Sequence, residues 1–458
     1  MKANKSFRGI YFSIFMLVIA IFINGCDKFL SEKPDKSLAI PSTLKDLQAL
    51  LDNKGALTSE PNTGEISSGD FYLQNSDWTS LSSEANRRAY IWEKDYLFLT
   101  NAVEWQTYST AVYYCNSVLE GLEGVARTGS NSVLYDNIKG QALFFRAKNM
   151  LAASGIWCLA YDESTASSDL GLPLRVNTNF NEPSVRSSLR QTYEHIISDL
   201  KNAVLLLPVI PVSYVRPSKP GAFACLSRTF LAMRRYEEAN VYADSCLQHF
   251  DALIDYNTLA SSKATYPFVS LNNEVLSEAG MAVGQILNLT RARVVDELYN
   301  QYDNDDLRKT LFFTNNSDGS HGFKGRYSGG TSLFSGFATD EVILTRAECL
   351  VRTGNRAEAL KLLNRLLITR WKKGTFSAIT AASDNEALEI ILSERRKELL
   401  FRGLRWIDLK RLNKEGRNIT IRRQLNGQEY MLPSNDLRYA LPIPEDVVEL
   451  SGMQQNPR

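Results

Sequence analysis

Residues 394–411 read ERRKELLFRGLRWIDLKR and continue an apolar stripe that begins upstream at helical spacing. Arg395 lies on this stripe. A guanidinium on an apolar helix face is costly unless a carboxylate pairs with it. We therefore expect Arg395 to be buried against an acidic residue of a neighbouring helix, with Glu348 as the candidate partner. The stripe consists of Leu388, Ile391, Leu392, Leu399 and Trp406.

Gly403 interrupts the same stretch. A glycine inside a helix costs about 1 kcal/mol relative to alanine, so this position predicts a bend. Glu398 and Arg402 stand four residues apart, the spacing of an ordinary helix-supporting ion pair. The motif is therefore expected to be structural rather than catalytic.

Two predicted helical hairpins share one layout, in which a small residue recurs twelve positions later, across the turn. Ala347 and Ala359 keep this offset in one hairpin, where Gly354 ends the first helix. Ser227 and Ala239 keep it in the other. Two helices approach closely only where side chains are small, so the layout is that of a tetratricopeptide repeat. The predicted helices are Ala222 to Met233, Glu237 to Leu247, Val342 to Val351 and Ala357 to Ile368.

Further amphipathic runs bring the predicted helices to at least eight, and no long stretch of strict apolar–polar alternation occurs. The sequence therefore predicts a mainly α protein with a tetratricopeptide-like scaffold of helix pairs. The additional long helices are Val103 to Leu122, Ile138 to Tyr161 and Leu189 to Leu207.

Long irregular loops rich in Gly, Ser, Asn and aromatic residues separate these helices. Loops of this length in a compact protein are usually functional, so we expect a ligand to bind there. The predicted loops are Asn53 to Ala89, Ser164 to Ser187, Ile254 to Leu289 and Asn315 to Ser335.

The N-terminus has the pattern of a secretory leader, in which Lys2, Lys5 and Arg8 precede an apolar run at residues 10–23. This run of fourteen residues is shorter than the roughly 20 that a membrane-spanning helix needs. The following residues, INGC at 23–26, resemble a bacterial lipobox, whose cysteine would be lipidated. The alternative is an ordinary leader followed by an incidental cysteine. We predict a signal peptide at 1–25, a lipidated Cys26 with a tether at 26–42, and a single domain at 43–458.

Composition and charge exclude several classes of protein. Hydrophobic residues make up 44% and charged residues 22%, as in ordinary folded proteins, and the formal net charge of +1 argues against a nucleic-acid partner. The glycine spacing of a P-loop occurs at Gly64 and Gly69, but Asp70 stands where lysine is required. The other five cysteines and three histidines have no metal-ligand spacing, so we expect buried thiols, no metal and no cofactor.

Ordered motifs along the chain resemble those of the SusD/RagB family of outer-membrane lipoproteins. Residues 394–411 are similar to the family's "ERrkELafEGhRwfDLkR", with Arg402 where many members carry Glu. In the family's "AEA" helix, Cys349 replaces the last alanine. The other matching segments are CDKFL at 26–30, GQALFFRA at 140–147, GLPL at 171–174, LPIP at 441–444 and QNP at 455–457.

This resemblance implies a tetratricopeptide-like scaffold whose loops present the ligand. It also implies that the protein is anchored by lipid at the outer membrane, exposed at the cell surface, above a TonB-dependent SusC/RagA-like barrel. The implied ligand is a glycan or a peptide. The resemblance implies that the protein passes this ligand on without acting as an enzyme. Two alternatives stay open: a glycan-processing enzyme, since a glycosidase needs only two carboxylates, and a tetratricopeptide adaptor that binds proteins alone.

Sugar receptors stack aromatic rings on sugar faces and add polar side chains for the hydroxyls. Two groups of predicted loop residues fit this description, and Trp78 is the best single candidate because it is the tryptophan within a long polar loop. The alternative is that these aromatics cover the scaffold. The candidates are Tyr72, Asn75, Asp77 and Trp78, and Phe323, Arg326, Tyr327 and Phe334.

Overall fold

A computed structural model describes residues 42–98, 103–262 and 264–458. The predicted signal peptide and Cys26, with the tether up to residue 41, lie outside these residues. Within the described part, no helix combines the length and the apolar character needed to cross a membrane.

Seventeen α-helices and thirteen short strands form in the described residues. The helices are α1 Leu44–Leu51, α2 Lys54–Leu57, α3 Thr63–Ser67, α4 Asn75–Thr79, α5 Glu84–Tyr90, α6 Val103–Glu123, α7 Ser132–Trp157, α8 Leu189–Leu206, α9 Lys219–Ala232, α10 Tyr236–His249, α11 Asp296–Tyr299, α12 Arg308–Phe312, α13 Thr339–Arg352, α14 Arg356–Leu367, α15 Asp384–Glu398, α16 Arg405–Asn413 and α17 Glu445–Ser451. The strands are β1 Ser59–Glu60, β2 Phe71–Tyr72, β3 Leu170–Pro173, β4 Arg186–Ser188, β5 Val275–Ser277, β6 Gly280–Met281, β7 Arg293–Val294, β8 Phe313–Asn315, β9 His321–Phe323, β10 Leu333–Phe334, β11 Phe337–Ala338, β12 Ile421–Leu425 and β13 Gln428–Leu432.

The long helices pack in succession, so the mainly α prediction is confirmed. Helices α6 to α10 each contact the next, α10 contacts α13, and α13 contacts both α14 and α15. Both predicted hairpins form. In the α9–α10 pair, the Ser227 hydroxyl donates a 3.0 Å hydrogen bond to the Ala239 carbonyl, and both residues are buried. Ala347 and Ala359 are buried in the other hairpin. The small residues of both hairpins are therefore buried, and in the α9–α10 pair they are in contact across the two helices.

The predicted helix boundaries differ from the structure most at α7, which begins at Ser132 instead of Ile138 and ends at Trp157 instead of Tyr161. Its first turn exposes the apolar residues Val133 and Leu134, so this turn does not continue the buried apolar stripe from which the helix was predicted. It ends because Cys158 is extended, with φ −118° and ψ 159°. The five cysteines at 115, 158, 225, 246 and 349 are buried free thiols, as predicted.

A second layer of short strands and helices occupies most of the segments predicted as loops. Strands β2, β7, β9 and β8 form one sheet in that order, and β1, β6 and β10 form another. In the second sheet Ser59 pairs with Gly280 and Leu333 pairs with Met281. Strands this short cannot show an alternation of apolar and polar residues. The strands of the second sheet also pair with segments that are far away in the sequence. This layer has a hydrophobic core of its own, beside the helical one.

The charged side chains of residues 394–411 join the helical scaffold to this second layer. Glu398, at the end of α15, accepts hydrogen bonds from Arg308 at 2.9 Å and from Arg370 at 2.7 Å, and all three are buried. Arg370 also pairs with Glu274 at 2.9 Å. Lys410 donates to the α7 carbonyl of Gly155 at 2.8 Å. The charged side chains of this motif therefore belong to a network of ion pairs and hydrogen bonds inside the protein.

Arg395 is buried, as predicted, but its predicted partner was wrong. Its Nε donates to the Asp408 carboxylate at 2.9 Å, whereas Glu348 pairs with Arg411 at 2.6 Å. The reason is the bend: the chain turns between α15 and α16, which brings Asp408 back beside Arg395.

The predicted helix pair of Glu398 and Arg402 was also wrong, because α15 ends at Glu398. Arg402 pairs with Asp340 at 3.1 Å instead. The predicted bend at Gly403 is confirmed, since its φ is +73°. A Cβ atom at this position would lie 3.0 Å from the Met281 sulfur, so a larger residue would push against β6.

Replacing Glu398 with alanine is expected to lower the free energy of unfolding by about 3–5 kcal/mol, because Arg308 and Arg370 would lose a shared buried partner. The matched control is Glu358→Ala, which breaks an exposed pair with Lys361 and should cost less than about 1 kcal/mol. Urea titrations followed by tryptophan fluorescence measure both changes. Equal losses of stability in the two variants would show that the buried pairs of Glu398 contribute no more than an exposed ion pair.

Stability is also expected to depend on the Glu65 carboxyl, whose pKa is raised to about 7 by burial and by the neighbouring charge of Asp70. Between its ordinary pKa of 4.5 and pH 7, the folded state keeps a proton that the unfolded chain has released. Stability from this group is therefore fully present below pH 4.5 and is lost as the pH rises through 7.

The variant Glu65→Gln should consequently be more stable than the wild type above neutral pH, by roughly 1–3 kcal/mol. The difference should shrink in acid. Urea titrations of both proteins across the pH range test this expectation, and parallel pH profiles would rule it out.

Candidate functional site

A polar groove of about 680 Å³ opens along the sheet of β1, β6 and β10. We call it the sheet groove. Strands β1 and β6 line it with Ser59, Glu60, Gly280 and Met281, and the start of α6 closes one side. A depression of about 410 Å³ adjoins the groove, since both are lined by Ala282 and Ser332. The combined site has room for a ligand of several rings.

The charged side chains in the sheet groove already have partners. Lys148 donates to Glu60 at 2.8 Å, and Lys54 donates to Glu278 at 2.8 Å. Glu104, from α6, accepts hydrogen bonds from the backbone N–H groups of Asn62 and Thr63 at 2.8 and 3.1 Å, and from the Thr63 hydroxyl at 2.7 Å. Burial raises the pKa of Glu104, and these donors oppose the rise. The lining is therefore polar, and each of its charged groups is engaged by a partner within the protein.

Arg326 lies in the adjoining depression and is only 3% exposed. Its guanidinium donates to the Thr331 carbonyl and lies over the Tyr266 ring, 5.2 Å from the centroid. Its Nε has no hydrogen-bond partner, and no carboxylate of the described residues pairs with it. Burial lowers its pKa. The Nε–H group of Arg326 is thus a hydrogen-bond donor without a partner among the described residues.

Three aromatics predicted to bind ligand lie in the second core instead. Phe323 stacks on Phe401 with centroids 5.1 Å apart, and the Tyr327 hydroxyl donates to Glu274 at 3.0 Å. Phe334 borders the sheet groove but is 2% exposed. They are buried because the strands around them pair into sheets, which the sequence pattern did not reveal.

Two residues of the other predicted group, Tyr72 and Asp77, lie at Arg293 on β7. Tyr72 pairs with Arg293 in the strand register, and Asp77 accepts a 2.5 Å hydrogen bond from it. Partial burial raises the Tyr72 pKa. Asn75 accepts from the Asn426 N–H at 2.9 Å. The structure therefore gathers these residues, but Asp77 and Asn75 already have partners.

Trp78 lies on the short helix α4, not in an open loop, and is half-buried. Its indole N–H donates to the Arg87 carbonyl at 3.3 Å. Shortly after this helix, the Ser82 N–H donates to Gln285 at 2.9 Å, and Gln285 follows Gly284, which lines the depression. This hydrogen bond connects the segment that carries Trp78 to the border of the depression.

Most residues of the groove lie in the loops predicted to bind a ligand, at 53–89, 254–289 and 315–335, but among them the sequence analysis named Phe334 alone as a candidate. Glu60, Glu104 and Glu278 carry no local motif and come from three separate segments. Glu104 was part of a predicted scaffold helix. The pairing of β1 with β6, more than 200 residues later, brings the segments together. No signal in the sequence marks that pairing.

Two family models match this chain. One, described as "Starch-binding associating with outer membrane", matches residues 28–231, and the other, described as "SusD family", matches residues 338–458. The chain belongs to the SusD/RagB family. The intervening residues, 232–337, carry β6, β10, Arg326 and the adjoining depression.

Curated relatives come from Formosa agariphila. SusD-like protein P2 is 26% identical over 58% of this chain and 65% of its own length. SusD-like protein P38 is 40% identical over 17% of this chain and 16% of its own length. The chain thus matches less than two thirds of either relative.

Solved structures with the same fold include a putative sugar binding protein from Bacteroides vulgatus, with a TM-score of 0.73 and 20% identity over 91% of this chain and 98% of that one. A SusD superfamily protein from Bacteroides thetaiotaomicron also has a TM-score of 0.73, with 21% identity over 91% of this chain and all of that one. These matches establish a SusD-like fold for the described domain.

Proposed function

We propose that this protein is a lipid-anchored receptor on the outer membrane that captures a neutral oligosaccharide in the sheet groove and delivers it to a TonB-dependent barrel. The observation that carries the proposal is the sheet groove, which is large and polar, with each of its carboxylates held by a partner. Family membership and the lipobox-like residues 23–26 support the anchor and the barrel.

The chemistry of the groove favours a glycan over a peptide. Sugar hydroxyls donate and accept hydrogen bonds, so they can use carboxylate oxygens that already have one partner, and the Arg326 donor as well. A peptide brings charged groups of both signs, whereas the lining offers one charged side chain without an ionic partner among the described residues, that of Arg326. The description of the matching family model as starch-binding and the name of the Bacteroides vulgatus neighbour also point to sugars.

Binding without hydrolysis fits the carboxylates. A glycosidase needs one carboxyl group able to give its proton to the leaving oxygen and a second to act as base or nucleophile. Glu60 and Glu278 are each paired with a lysine, and Glu104 accepts three hydrogen bonds from residues 62 and 63. Recovery of intact oligosaccharide after incubation with the protein is the matching assay.

Arg326→Met is expected to weaken oligosaccharide binding at least about ten-fold, equivalent to about 1.4 kcal/mol. The free energy of unfolding should fall by no more than about 1–2 kcal/mol, because the guanidinium has no ionic partner among the described residues and the change removes its hydrogen bond to Thr331 and its contact with the Tyr266 ring. Calorimetric titration with maltoheptaose, followed by a panel of other neutral oligosaccharides, measures the affinity. The control is Arg127→Met. This change removes an exposed ion pair between Arg127, on the α6–α7 connection, and Asp136 of α7.

Unchanged affinity in Arg326→Met would remove the depression from the ligand site.

We propose Trp78 as an outer contact, so Trp78→Ala should reduce affinity by a smaller factor. If its affinity equals that of the wild type, Trp78 does not touch the ligand.

Cys26→Ser is expected to release the protein from the outer membrane, because the lipid would be lost. Wild-type protein extracted in mild detergent should bring a TonB-dependent barrel in stoichiometric amount, identified by mass spectrometry, and protease treatment of intact cells should cleave it. A wild-type protein that purifies alone, with no glycan bound in the panel, would favour the protein-binding adaptor.

A further inference from the structure

A second pocket, of about 250 Å³, lies away from the sheet groove, between α6, the loop at residues 174–185 and α17. We call it the loop pocket. Its lining includes Trp105, Tyr108 and Tyr113 from α6, with Phe180 from the loop. None of its lining residues contributes to the sheet groove or to the adjoining depression. It is therefore a separate site.

The outer wall of the loop pocket is a pair of aromatic rings. Phe180 and Tyr113 have centroids 5.0 Å apart and an angle of 31° between their planes. Phe180 is 76% exposed. Because the ring is exposed, covering its apolar face with a ligand would contribute favourable free energy to binding.

The loop that carries Phe180 is held in place by polar contacts. The Arg175 guanidinium donates to the carbonyls of Asn179 at 2.5 Å and Glu182 at 2.6 Å. From α6, Asn116 donates to the Arg175 carbonyl at 3.0 Å. Phe180 is thus presented on a preorganised loop, which reduces the entropy cost of binding.

A second contact from α6 ties the loop beside the ring. Glu120 accepts hydrogen bonds from the Thr178 N–H at 2.7 Å and from its hydroxyl at 2.5 Å. The Glu182 carboxylate accepts from the Asn177 amide at 2.9 Å. Arg175 is the charged residue among the described lining residues, and its guanidinium donors are already engaged by carbonyls of the loop.

The rest of the lining combines apolar surface with hydroxyl groups. Ser109, Thr178, Ser184 and Ser451 contribute hydroxyls, and Val112, Val447 and Met453 contribute apolar surface. A ring with one apolar face and hydroxyls at its edge matches this arrangement. The volume lies just below the roughly 300 Å³ at which sites for drug-sized ligands begin, so it suits one ring.

We infer that the loop pocket is a second carbohydrate site, which takes a single neutral sugar ring against Phe180 and Tyr113. The inference rests on the proposed function, since it assigns the same class of ligand to a second surface. Two sites on one receptor would hold separate parts of one long glycan and raise the overall affinity without closer contact at either site.

Methionine methyl groups report on the two sites independently, because Met453 lines the loop pocket and Met281 lines the sheet groove. The experiment is methyl NMR of the full-length protein, labelled at methionine and held in mild detergent, titrated with glucose, galactose, mannose and N-acetylglucosamine. At least one sugar should shift the Met453 signal with millimolar affinity.

Phe180→Ala should abolish the Met453 shift and leave the Met281 signal and its response unchanged, while Phe180→Tyr, which keeps the ring, should retain the shift. Because Phe180 is exposed, neither change should affect folding. An exposed apolar control, Val241→Ala on α10, should leave both signals as in the wild type.

Three outcomes would overturn the inference: no Met453 shift with any of the four sugars, a shift that survives in Phe180→Ala, or a shift produced by an apolar peptide and by no sugar. Failure of the proposed function is read separately. It would show as a Met281 signal that no oligosaccharide of the panel perturbs, whatever Met453 does.

Discussion

The buried charge network around residues 394–411 is the interaction on which the two layers of this protein depend. Glu398 lies between Arg308 and Arg370, and all three are removed from water. A buried ion gains enough from its partners to offset desolvation only when the geometry is well satisfied. The network therefore favours one arrangement of the helical scaffold and the strand layer over others in which a charge would be left alone.

This network also reaches the sheet groove through a short series of contacts. The Gly403 N–H, at the bend of the motif, donates to Glu65 at 2.9 Å, and Glu65 belongs to α3. The first residue of α3, Thr63, donates to Glu104 in the groove. Gly403 also lies beneath Met281 of β6. The same bend that brings Asp408 to Arg395 thus supports one wall and part of the floor of the site.

In both proposed sugar sites, groups of the protein itself engage the charged side chains. In the sheet groove Lys148 and Lys54 hold the carboxylates, and in the loop pocket Glu120 and Arg175 hold the loop. The charges position the polypeptide and leave polar groups for the ligand. Arg326 differs, since its buried Nε has no hydrogen-bond partner among the described residues.

By itself the sequence determined the helices, the small residues that bring Ser227 to Ala239, the bend at Gly403 and the family, because each depends on residues close together in the chain. The tertiary structure alone decided which carboxylate pairs with Arg395 and that the Phe323 ring is buried. It also decided that residues near positions 60, 104 and 280 share one groove. These outcomes depend on pairing between distant segments, where strands of two or three residues leave no periodic pattern to read.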